Sequence, residues 1–161
     1  MSISSQELKQ IRQEHHLNRV QMAYIMQISF EDYEMREKGF VPVGEKEEIR
    51  LSEFFDISEQ EKEELSKECI EFMEKNTLFY RVNRILTIGD KFRLLRTFHH
   101  FEPVHMARLF CIPFISYLEL ERDIRQPGKW ILNIFCDFFG NTAKNVLLTE
   151  LSPEIMDAIL E

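Results

Sequence analysis

The chain has 161 residues, 44% of them hydrophobic and 30% charged, enough to bury a core in one or two domains. Its 20 Lys and Arg stand against 28 Asp and Glu, and the net charge of −8 excludes a broadly basic protein that coats nucleic acid, though not a local basic patch. With 5 Gly and 5 Pro there are too few turn residues for a many-stranded sandwich, so an all-α fold is expected.

Ser4 followed by Glu7 predicts a capped first helix with Leu8, Ile11 and His15 at helical spacing. Asn18 followed by Gln21 opens a second, burying Met22, Ala23, Ile25 and Met26. Ser29 caps a third, with Tyr33 and Glu37 turned inward and Gly39 as its C-terminal stop. A fourth, over about 44–55, carries Ile49, Leu51, Phe54 and Phe55. Ser58 and Glu61 cap an amphipathic helix to about Lys75, with Leu65, Cys69, Phe72 and Met73 on one stripe and a solvated Glu/Lys face opposite. Residues 76–86 are apolar enough to pack between flanking units. Glu102-Pro103 starts a helix through proline at its first position. The tail ends in a short helix capped at Ser152-Pro153 and carrying Ile155, Ile159 and Leu160.

A shift of 84 residues aligns 12–55 with 96–139 without a gap, and 13 of the 44 positions are identical. Chance at ordinary composition gives roughly three. Among the identities are Arg12/Arg96, the His pairs 15–16 and 99–100, Ala23/Ala107, Tyr33/Tyr117, Glu37/Glu121 and the Phe pairs 54–55 and 138–139. One folding unit is duplicated. The expected organisation is two five-helix units, 1–75 including the connecting helix and 76–161 including the terminal helix.

The strings ELKQIRQEHHLNRVQMAYIMQISFEDYEMREKGFVP and KFRLLRTFHHFEPVHMARLFCIPFISYLELERDIRQP resemble the Cro/phage-repressor (XRE) helix-turn-helix family. Ile11-Arg12, Ala23, Ile28-Ser29, Tyr33, Glu37 and Gly39 stand where the family has its Leu-Arg pair, mid-helix Ala, Ile-Ser turn and closing Glu-x-Gly. Leu95-Arg96, Ala107, Ile112, Tyr117, Glu121 and Pro127 do so in the second unit. The likeness covers about 110 of the 161 residues. It implies two tandem lambda-repressor-like helix-turn-helix domains joined by an amphipathic helix. It also implies a dimeric, DNA-binding transcriptional regulator, its first unit reading double-stranded DNA and its second dimerising. Gln27 and Cys111 replace the usual turn Gly, and Asp123 the Gly after the Glu.

The family's third helix enters the major groove. Phe30, Glu31 and Glu34 would face base edges there, behind Ser29, with Arg19, Arg36 and Lys38 as phosphate contacts. Carboxylates repel phosphates and lack the bidentate donors that Arg offers guanine. Arg122, Arg125 and Lys129 are the corresponding cations of the second unit, whose outward residues are the apolar Phe114, Ile115 and Leu118. Such a stripe reads as a protein interface, for homodimerisation or a foreign partner, or as a face covered by the tail. The alternative function is therefore a helix-turn-helix-derived protein-binding module, such as an inhibitor, antirepressor or adaptor, with little DNA binding.

No phosphate loop, nucleophile elbow or metal-ligand spacing occurs, so no catalysis, cofactor or metal is expected. The His pairs, with His105 nearby, read as exposed helix ends, where a histidine suits the helix dipole. Three cysteines without CxxC pairing, Cys69, Cys111 and Cys136, read as reduced and mostly buried thiols. With no apolar signal core or membrane-length segment, a soluble, cytoplasmic chain without a membrane partner is expected.

Overall fold

The computed structural model describes residues 3–75, 85–140, 145–147 and 149–160, and the regular structure among them is helical throughout. The helices are α1 (Ser5–Glu14), α2 (Arg19–Met26), α3 (Phe30–Glu37), α4 (Glu45–Phe55), α5 (Glu59–Lys75), α6 (Ile88–Phe98), α7 (Pro103–Phe110), α8 (Phe114–Glu121), α9 (Lys129–Phe139) and α10 (Pro153–Leu160). They fall into two units, 1–56 and 57–161.

In the first unit each start is set by a local acceptor. Ser4 Oγ accepts from Glu7 N, Asn18 and Gln21 cap each other reciprocally, and Ser29 Oγ accepts from Asp32 N. The turn from α2 to α3 passes through Gln27 at φ 59°, and Gly39 at φ 83° follows α3. The apolar spacing then places Leu8, Met22, Met26 and Tyr33 at 0% exposure, with Leu51 beneath them on α4. Fully burying each such side chain is worth about 1.5–3 kcal/mol. That burial holds together helices of 8 to 11 residues that would be marginal alone.

The second unit repeats this plan to the residue. α7, α8 and α9 begin and end 84 positions after α2, α3 and α4. The backbone bond from Ile28 N to Ala23 O recurs as Ile112 N to Ala107 O, and Leu17 N to Arg12 O as Phe101 N to Arg96 O. Cys111 takes the left-handed conformation of Gln27. Phe92, Met106, Phe110, Tyr117 and Phe135 form its core.

Two departures from the sequence expectation concern what packs on this unit. The connecting helix α5 lies against α8, so the boundary falls at 56/57 rather than 75/76 and the first unit has four helices among its described residues. The terminal helix α10 packs on α6 and buries Met156, whereas Ile155 and Ile159 are exposed. Lys91, itself buried, donates to the carbonyls of Leu147 and Thr149 at 3.3 and 2.8 Å and so pins the segment before α10. The expectation for 76–86 lies largely outside the described residues; Leu86 is buried and donates to Leu151 O.

Candidate functional site

One ionic hub recurs in each unit. The Arg12 guanidinium donates to both Glu37 carboxylate oxygens at 2.8 and 3.2 Å and to the Leu17 carbonyl at 3.2 Å. Arg96 makes the same three bonds to Glu121 and Phe101 at 3.0, 3.1 and 3.0 Å. Tyr33 and Tyr117 are fully buried next to these pairs. Burial, with Glu37 adjacent, pushes the Tyr33 hydroxyl far up. Burial works against the Glu37 carboxylate, yet hydrogen bonding from Arg12 holds it below the ordinary range. The hub ties the end of α1 to α3 and explains the Arg/Glu identities of the repeat.

The candidate DNA-contacting residues divide by environment. Ser29, Phe30 and Glu31 are exposed at the start of α3, where Glu31 and Asp32 already satisfy the positive helix end with negative charge. Arg36 is turned away from that surface. Its Nε donates to Glu47 at 2.9 Å, its side chain is 17% exposed, and a further bond reaches the Asp32 carbonyl. Lys38 sits 3.4 Å from Glu34, and Arg19, at the first position of α2, sits 3.6 Å from Glu37. In the second unit Arg125 lies 3.6 Å from Glu119.

The apolar stripe expected on α8 is only partly a free surface. Leu118 is buried, since α8 is packed by α5, α6 and α7. Phe114 is half-buried and, with Val104, faces Leu65 and Cys69 across a cavity of about 310 Å³. Ile115 remains exposed. The cover is the chain's own connecting helix, not its tail.

Two residues of this region escaped the sequence reading. Val20 and Tyr24, four apart on α2, are 56% and 41% exposed and adjoin the turn leading to Phe30, 39% exposed. The available signal was that both fall outside the buried set Met22, Ala23, Ile25 and Met26 on so short a helix.

The histidines are not simply exposed helix ends. His99 is buried among Phe98, Phe101 and Phe139, and His15 stacks on Phe55 at 4.6 Å. His16 and His100 instead take the left-handed backbone at φ 49° and 54°. His105 is buried and its Nδ1 accepts from Glu102 N, taking the role of Gln21 in the first unit. Each His-His pair therefore docks the first helix on the closing Phe and turns the chain. Cys111 is exposed and Cys69 and Cys136 are half-buried, all as free thiols. Among the described residues, no cluster of three or more His, Cys, Asp or Glu could hold a metal ion, and no helix is long and apolar enough to cross a membrane. No protein-family model matches the chain, and neither a curated protein nor a solved structure is significantly similar to it.

Proposed function

We propose that the chain is a protein-recognition module built on a duplicated helix-turn-helix scaffold of phage-repressor type, with little or no DNA binding. One observation carries this reading: the outward start of α3 offers Phe30, Glu31 and Asp32, while Arg36 and Lys38 are set against Glu47 and Glu34. A salt-sensitive DNA binder makes about six to ten phosphate contacts. Redirecting Arg36 to a phosphate would strand a carboxylate that is 10% exposed, which opposes binding rather than assisting it. The apolar, acid-bordered face of α2 and α3 suits a protein surface instead.

A second reading, the DNA-binding regulator, has one observation in its favour. Arg19 opens α2 with its side chain 48% exposed, where family members hold the DNA backbone. A fluorescence titration against the chain's own upstream duplex and a random duplex, from about 50 to 200 mM salt, separates the two. The protein-recognition reading expects no binding to either duplex at the low-salt end. Binding that weakens steeply with salt overturns it, and the regulator reading then expects Arg19→Ala and Arg36→Ala to lower the salt slope by about one each. Under that reading, changes at Glu31 or Glu34 alter sequence preference instead.

A further inference from the structure

The duplication supplies an internal template for what the exposed face of α2 and α3 accepts. Val20, Tyr24 and Phe30 correspond, 84 positions on, to Val104, Arg108 and Phe114. In the second unit those three positions receive a helix. Arg108 pairs with Glu61 of α5 at 2.8 Å, and Val104 and Phe114 line a cavity with Leu65 and Cys69, four apart on the same helix. Val104 is 7% exposed there, whereas Val20 is 56% exposed. The first unit thus keeps the valine and phenylalanine of a helix seat and presents them to solvent.

The charges at the two seats differ, and the difference selects the occupant. Where the second unit has Arg108 for the acidic α5, the first has Tyr24. Arg19, in the place of Pro103, is drawn to Glu37 at 3.6 Å. The neighbouring residues on α3 are Glu31, Asp32 and Glu34, the last 3.4 Å from Lys38. A second copy's α5, with Glu59, Glu61, Glu64 and Glu68 around its apolar stripe, would meet like charge and lose its arginine partner. A helix with Lys or Arg in those places would avoid that repulsion from the acids of α3, and in the place of Glu61 a cation would meet the aromatic face of Tyr24.

We infer that the face formed by Val20, Tyr24 and Phe30 is the seat of an amphipathic helix from a partner protein, with apolar residues four apart and basic flanks. The inference rests on the protein-recognition reading above and adds the face and the partner's chemistry.

The test uses the full chain and a labelled synthetic peptide of residues 57–75 carrying Glu61→Lys, Glu64→Lys, Glu68→Lys and Cys69→Ala. Two controls are the same peptide with its glutamates kept and a scramble of the basic peptide. Saturable binding of the basic peptide is expected, with the acidic peptide at least about ten-fold weaker. The exposed-site double variant Val20→Ser/Phe30→Ser, with unchanged circular dichroism, should weaken binding by about ten-fold or more, and Ile124→Ser should not. The inference is overturned if the basic peptide fails to saturate below about 1 mM. It is equally overturned if the scramble or the acidic peptide binds as tightly, or if the Val20/Phe30 variant binds normally. Duplex binding in the titration above overturns the underlying reading instead, so the two failures are distinguishable.

Discussion

The repeat replaces an ion pair by two apolar residues, and this substitution can be transplanted. Arg36 and Glu47 are held at 2.9 Å with 17% and 10% of their side chains exposed. Their counterparts in the second unit, Leu120 and Ile131, are buried at 1% and 9% exposure. Arg36→Leu alone leaves the Glu47 carboxylate without its bidentate partner, keeping the Gly44 amide as its remaining short hydrogen bond and the charge of Arg50 in its vicinity. Glu47→Ile alone leaves a guanidinium with one carbonyl acceptor and also removes the acceptor for Gly44 N. Breaking a largely buried pair from one side costs about 3–5 kcal/mol, and residual exposure puts both singles near 3 kcal/mol. The double variant Arg36→Leu/Glu47→Ile removes both charges together and installs the second unit's solution. It should stand within about 1 kcal/mol of the parent, the lost Gly44 bond being its main cost. Gly128, which starts α9 without a side-chain acceptor, shows that the fold tolerates this loss. Urea unfolding of the full chain, resolved for residues 3–56 by hydrogen exchange, gives the three values. A double variant as unstable as the sum of the singles, about 6 kcal/mol, would refute the reasoning.

Other consequences follow from individual environments. Burial opposes ionisation of Glu37 and Glu47, but hydrogen bonds to each outweigh it and lower both pKa values below the ordinary 4.5. Their stabilisation is therefore complete above that value and is lost as pH falls through the lower folded pKa, so Glu37→Gln should cost less at pH 3 than at pH 7 in thermal unfolding. Gly89→Ala should cost about 3 kcal/mol or more in urea unfolding, because a Cβ there would stand 2.5 Å from the Glu121 carbonyl oxygen. Two changes to glycine at left-handed positions should have opposite signs in thermal unfolding. Gln27→Gly, at φ 59°, should gain about 0.5–1 kcal/mol. Asp123→Gly, at φ 60°, should lose stability because Asp123 accepts from Thr87 Oγ1 and Gly89 N, bonds to a charged group worth about 1.5–3 kcal/mol. Lys91→Met should cost about 2 kcal/mol and speed hydrogen exchange in α10, because the carbonyls of Leu147 and Thr149 lose their shared donor.

What the sequence revealed was local. The pairs Ser4–Glu7, Asn18–Gln21 and Ser29–Asp32 cap the helices they announce, because capping depends on residues three apart. The inward positions of Met22, Tyr33 and Glu37 follow from helical period, and their doubles at 106, 117 and 121 follow from the repeat. Long-range partners were hidden. The apolar stripe on α8 was readable, but α5, α10 and an outside partner each offered a matching stripe. The packing of α5, α6 and α7 on α8 decides that Leu118 is interior. Arg36 likewise carries no mark in the sequence of its bond to Glu47, eleven residues away and across a turn. The histidines misled because a polar residue at a helix end suits both solvent and an aromatic neighbour, and Phe139 supplies that neighbour from a distant helix.

The most direct measurement of the central claim is amide hydrogen exchange on the full chain alone, with duplex DNA, and with the basic helical peptide. Slowed exchange across residues 19–34 with the peptide, and unchanged exchange there with the duplex, is the predicted result. Protection of those residues by the duplex, with none from the peptide, would contradict it.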